Sequence, residues 1–86
     1  MKHLIEKYID NLSIGDVNLF LNKNNINLNR QELEFTYNYI KKNWNQILSD
    51  PNSFNFENYK NVYTSINYNK LNNLINEYRA KYSKYL

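Results

Sequence analysis

His3 is the one histidine in the chain, and therefore the first residue to consider for acid–base chemistry near neutral pH. It lies beside a terminus expected to fray, where water is the expected neighbour. Ser13, Ser49, Ser53, Ser65 and Ser83 have no histidine close to them in sequence. A hydroxyl nucleophile would need His3 carried to it by the fold. Glu32 and Glu34 are spaced as a carboxylate pair, but two positions along a helix are about 200° apart and face different ways. Gly15 is the one glycine, so no glycine-rich loop is present to cradle a phosphate. Lys23-Asn24-Asn25-Ile26-Asn27-Leu28 has the outline of a calcium-binding loop between two helices, yet offers no carboxylate oxygen. The chain has no cysteine, which excludes disulfides, thiolate zinc sites and thiol redox chemistry. The expectation is a protein that is not an enzyme and takes no cofactor and no metal.

The elements that would position a surface can be read from periodicity. Leu4, Ile5, Tyr8, Ile9 and Leu12 recur at helical spacing and predict a short amphipathic helix over residues 2–11. Ser13 followed by Asp16 has the form of a capping box and opens a second helix to about Lys23, with Val17, Phe20 and Leu21 inward. Asn24-Asn25 suits a left-handed helix stop. Ile26-Asn27-Leu28 reads as a short extended linker with two apolar side chains under the turn. Asn29 and Glu32 form the next capping pair and open the longest helix, residues 30–48. Its residues Leu33, Tyr37, Ile40, Trp44, Ile47 and Leu48 fall within a sector of about 100°, a core-facing stripe. Asp50-Pro51 ends it, because the residue before proline is pushed out of helical geometry. Phe54, Phe56, Tyr59, Val62 and Tyr63 fit a short helix over 56–64, although Phe54-Asn55-Phe56 alone could form a strand fragment. Asn67 is the expected cap of the last helix, whose stripe is Tyr68, Leu71, Leu74, Ile75, Tyr78, Tyr82 and Tyr85, about 120° wide. The fold class expected is all-α: one domain, residues 1–86, in a compact orthogonal bundle of about five short helices.

Composition narrows the function. The 86 residues include nineteen asparagines, spread singly among the apolar positions as AT-rich coding would place them, not gathered into a polar tract. Asn trails Lys, Glu and Gln in helix propensity by a few tenths of a kcal/mol, so packing must hold these helices. No stretch approaches eighteen apolar residues, and Met1-Lys2-His3-Leu4-Ile5-Glu6-Lys7 lacks the apolar core of a signal peptide. A cytoplasmic protein with no membrane partner is expected.

Two surfaces remain as binding candidates. Phe35 and Tyr39 lie nearly opposite the Leu33/Tyr37/Ile40/Trp44 stripe, flanked by Lys42 and Gln46. Either the long helix is central and buries both faces, or Phe35, Tyr39, Lys42 and Gln46 meet another protein or a second copy. The net charge of +3 is uneven: residues 1–57 carry six basic and seven acidic groups, −1, and residues 58–86 carry five and one, +4. Lys70, Arg79, Lys81 and Lys84 could therefore form a nucleic-acid patch with tyrosines interleaved for stacking. The same cations could equally be a solvated face that complements the helix dipole. A helix-turn-helix reading over 13–48 is disfavoured, because Arg30-Gln31-Glu32-Leu33-Glu34 would turn two carboxylates toward the phosphates.

The run Leu12-Ser13, Asp16, Leu19-Phe20, Asn25-Ile26-Asn27-Leu28, Glu32, Tyr39-Ile40 and Leu48, followed by an apolar-spaced C-terminal helix, resembles a YqfT-like family. These are small helical proteins of unknown function from low-GC Gram-positive bacteria. The resemblance rests on hydrophobic spacing over most of the chain. It implies a cytoplasmic bacterial protein of about this length, and brings no activity and no catalytic residues.

Overall fold

The two capping boxes form as the residue types require, and they fix where the first turns of the bundle begin. In the computed structural model, which describes residues 2–50 and 54–82, helix α1 spans Lys2–Asp10 and α2 spans Ile14–Lys23. The Ser13 hydroxyl accepts from Asp16 N at 3.1 Å, and the Asp16 carboxylate accepts from Ser13 N at 3.0 Å. These bonds hold the Asp16 carboxyl below its ordinary range. Helix α2 stops at the expected asparagines. Asn25 takes a left-handed φ of 62°, and Ile26 N reaches back to Leu21 O at 2.9 Å, which drives the Ile26 side chain to 1% exposure.

Helix α3 spans Arg30–Ser49, a 3-10 helix spans Phe56–Val62, and α4 spans Ser65–Tyr82. The described residues contain no strand, and the fold is all-α. Val17, Leu21, Ile26, Phe56, Tyr63 and Leu71 make the buried cluster, so α2, its stop, the 3-10 helix and α4 meet in one core. The radius of gyration is 12.9 Å, against about 12 Å for an ideally packed chain of this length.

One carboxylate ties these elements together. Glu32, 1% exposed, closes the α3 capping box by accepting from Asn29 N at 2.8 Å. The same oxygen accepts from the Asn67 side-chain amide at 2.7 Å, and its other oxygen accepts from Thr64 N at 2.7 Å. The Asn67 amide also donates to Asn27 O at 3.1 Å. A buried carboxylate is tolerated only when it is well hydrogen-bonded, and this one sits at the starts of both α3 and α4, where helix dipoles favour negative charge. Next to it, the Thr36 hydroxyl lies 2.7 Å from Tyr63 OH and donates to Glu32 O at 2.8 Å.

Several expectations are corrected. Asn67 does not cap α4; Thr64 does, its hydroxyl accepting from Asn67 N at 3.2 Å. That geometry makes Asn67 the third residue of the helix and frees its amide for Glu32. Residues 56–62 form a 3-10 helix, begun by a tight bond from Glu57 N to the Asn55 side chain at 3.1 Å. Phe20 is not inward: it lies at the margin of the core, 46% exposed, its ring 6.2 Å from that of Tyr78. Of the α4 stripe, Leu71 is buried and Tyr68, Leu74, Ile75 and Tyr78 are half-buried. The side chains of Leu48, Tyr82 and Tyr85 lie outside the described residues.

Glu32→Gln keeps the shape of the side chain but turns an amide NH2 group, itself a donor, toward at least one of its three donors. A loss of about 1–3 kcal/mol of unfolding free energy is expected, read from urea melts of the two proteins. An unchanged midpoint would show that the carboxylate does not hold α3 to α4.

Candidate partner-binding surface

Helix α1 carries more apolar surface than its neighbour can cover. At 100° per residue, Leu4, Tyr8, Ile5 and Ile9 occupy a continuous arc of about 140°, with Glu6, Asp10, His3 and Lys7 on the remainder. Helix α3 meets only one edge of that arc. Ile9 is buried and Ile5 half-buried, while Leu4 and Tyr8 are 75% and 67% exposed. Polar bonds fix where the helix ends: Lys41 Nζ donates to Ile9 O at 2.7 Å and Asp10 O at 3.1 Å, and Tyr37 OH donates to Leu12 O at 3.0 Å. A cation on the last carbonyls of a helix offsets their unpaired dipoles.

Between the two helices lies an open groove of about 260 Å³, lined by Ile5, Ile9, Ile40, Trp44 and Ile47, with no polar atom in its exposed lining. Ile40, Trp44 and Ile47 belong to the stripe expected to be core. They are half-buried instead, because nine residues of α1 are too narrow a lid for that stretch of α3. Groove and exposed edge adjoin on α1, giving one apolar surface made of Leu4, Tyr8, Ile5, Trp44, Ile40 and Ile47. The signal for it was present in the sequence: an arc of about 140° exceeds the roughly 100° that a helix buries on one neighbour.

The other expected surfaces are placed differently. Phe35 and Tyr39 are half-buried beneath rings from the segment around the 3-10 helix. The Phe35 ring is 5.5 Å from Tyr59 and 6.1 Å from Tyr63, and the Tyr39 ring is 5.1 Å from Tyr59 and 5.5 Å from Phe54. Helix α3 is thus apolar on two sides because it is covered on two sides. Lys42 and Gln46 stay exposed, beyond this cluster. Burial, with the Tyr59 hydroxyl 3.5 Å away, pushes the Tyr39 phenol up to about 12. Burial raises Tyr63 also.

Of the four basic residues singled out, Lys70 donates to Asn25 O at 2.9 Å, and Arg79 bonds to Phe54 O while lying over the Phe54 ring. Lys81 is exposed and Lys84 lies outside the described residues. The structure therefore ties Lys70 and Arg79 to the fold. Arg30 and Glu34 pair with each other at 2.7 Å on the surface. Among the described residues, no three His, Asp or Glu side chains gather as a metal site, and every buried side-chain nitrogen or oxygen has a partner. No helix among them is long and apolar enough to cross a membrane.

Comparison with known proteins gives no match to a family model, a curated protein or a solved structure.

The raised phenols set a pH dependence. A phenol whose folded pKa exceeds its unfolded value of about 10 contributes stability that is complete below pH 10 and lost as pH climbs toward about 12. Tyrosinate absorbance should show a late stage of ionisation from Tyr39 and Tyr63. Tyr39→Phe should shorten that late stage. Uniform ionisation of all tyrosines near pH 10 would show that the ring cluster is not packed as described.

Proposed function

We propose that this chain is a small, non-enzymatic helical module that binds protein through the apolar face shared by α1 and α3. The observation that carries the reading is the pairing of an open, wholly apolar groove with two large side chains, Leu4 and Tyr8, left mostly in solvent beside it. Scattered exposed apolar residues are ordinary, but a contiguous patch that adjoins a groove marks an interaction surface. Aromatic anchors at its centre, here Trp44 and Tyr8, are the residue types that dominate binding energy when a partner excludes water. The Phe35/Tyr39 surface offers less, since its rings already satisfy one another. A cytoplasmic setting fits a chain without cysteine, and the bacterial origin that the resemblance to a YqfT-like family implies belongs to the same reading.

A photoreactive phenylalanine analogue at position 8 tests it in cells. Ultraviolet irradiation should yield covalent adducts heavier than the 10.5 kDa chain, and the same analogue at exposed position 45, on α3 outside the groove, should yield few. Equal yields at both positions, or none at either, would contradict the proposal.

A further inference from the structure

We infer that α1 is a hinged lid: residues 2–10 dock on α3 and leave it as one unit, pivoting at Asn11-Leu12 under a clasp formed by Tyr37 and Lys41. Such a lid controls the α1–α3 face, and this control rests on the reading of that face as a binding surface. Leu4, Ile5, Tyr8 and Ile9 all belong to α1, so a partner meets the whole face only while the helix is docked.

Burial locates the break between lid and body. Across residues 3–10, Ile9 is buried and Ile5 half-buried, and every other residue is exposed. The buried core cluster shared by α2, the 3-10 helix and α4 does not include Ile9, whereas Leu12 packs against that cluster. Tyr37 OH fixes Leu12 a second time, on its carbonyl at 3.0 Å, and Ser13 is committed to the cap of α2. The chain is thus anchored from Leu12 onward. Asn11, an exposed turn residue, is the first position at which the backbone can swing.

Helix length makes the docking all-or-none. Isolated helices shorter than about 12–15 residues are marginal in water, and α1 has nine. Its first turn carries no acidic side chain to favour the dipole. Away from α3, residues 2–10 therefore lose their helix, and the apolar arc exists only in the docked state. Docked, the helix is held by Ile5, by Ile9 and by one cation: Lys41 Nζ donates to Ile9 O at 2.7 Å and Asp10 O at 3.1 Å. That ammonium also lies 5.8 Å from the centre of the Tyr37 ring, whose hydroxyl holds Leu12. One turn of α3 thus grips the end of α1 on one side of the pivot and the following residue on the other. A partner that covers Leu4 and Tyr8 stabilises the docked state alone and shifts the population toward it.

Amide exchange on the full chain, followed through low concentrations of urea, tests the lid. The amides of Lys7, Tyr8, Ile9 and Asp10 should share one opening free energy and one urea dependence, below the values for Thr64 and Leu33. Fraying would instead give values that fall steadily toward Lys2 with no urea dependence. Glu32→Gln, which weakens the body of the fold, should speed exchange at Thr64 and Leu33 at least about fivefold and leave the α1 amides unchanged, because the lid opens without breaking that cluster. Lys41→Met should speed the α1 amides about five- to tenfold, and Lys41→Arg should retain the wild-type rates. Lys42→Met, the same loss of charge at an exposed neighbour, should leave α1 as it was. Graded values in the wild type overturn the lid, as does acceleration of α1 together with Thr64 in Glu32→Gln. An equal response to Lys41→Met and Lys42→Met overturns the clasp. If α1 opens as one unit while position 8 gives no cross-links, the lid stands and the protein-binding function fails. If position 8 cross-links to other proteins while the α1 values are graded, the binding surface stands and the lid is wrong.

Discussion

A single buried carboxylate sets the geometry of this bundle. Glu32 accepts from the backbone before α3, from the backbone before α4 and from the side chain of Asn67. Two helix starts far apart in sequence are thereby held at one point. The negative charge stays because the positive ends of both helices surround it and every bond it needs is present. Once α3 and α4 share that point, the 3-10 helix between them has little freedom. It folds back so that Phe56 and Tyr63 enter the core, while Tyr59 covers the second apolar side of α3.

The other end of α3 has no equivalent. Beyond Lys41, whose ammonium holds the last carbonyls of α1, and Tyr37, whose hydroxyl holds Leu12 O just past it, contact between α1 and α3 is apolar and incomplete. A small chain has too little polar surface and too few residues to cover every apolar side chain; here Leu4 and Tyr8 of α1 are left in solvent beside the groove, and Leu19, Phe20, Val62 and Ile66 are exposed elsewhere. The groove between α1 and α3 is one such uncovered surface, and it is lined by the later residues of α3, away from Glu32 in its first turn.

Much of the fold was legible in the sequence. Ser13 with Asp16 and Asn29 with Glu32 announced two helix starts, Asn24-Asn25 announced a stop, and the three- and four-residue spacing of apolar positions located α1 to α4. These features act within one or two turns, and local chemistry decides them. Features that depend on distant partners were not legible. Glu32 reads as an ordinary capping residue until Thr64 and Asn67 arrive from 32 and 35 residues away. Thr64 takes the cap from Asn67 for the same reason, since Asn67 is drawn inward. The open apolar face was half-visible. Periodicity marked Leu4, Ile5, Tyr8 and Ile9 as one stripe, and only the width of that stripe hinted that a single neighbour could not cover it. Phe35 and Tyr39 stood out as surplus aromatics because the rings that cover them come from a segment with weak helical signal.

Residue-by-residue amide hydrogen exchange under native conditions tests this division of the molecule most directly, because it reports the free energy of opening at each site. The account predicts slowest exchange at amides tied to the Glu32 cluster and the core, among them Thr64, Leu33 and Ile26, and exchange faster by orders of magnitude along α1. Protection of α1 equal to that of the Glu32 cluster would contradict it, showing the bundle closed at both ends and its apolar face no more available than the rest.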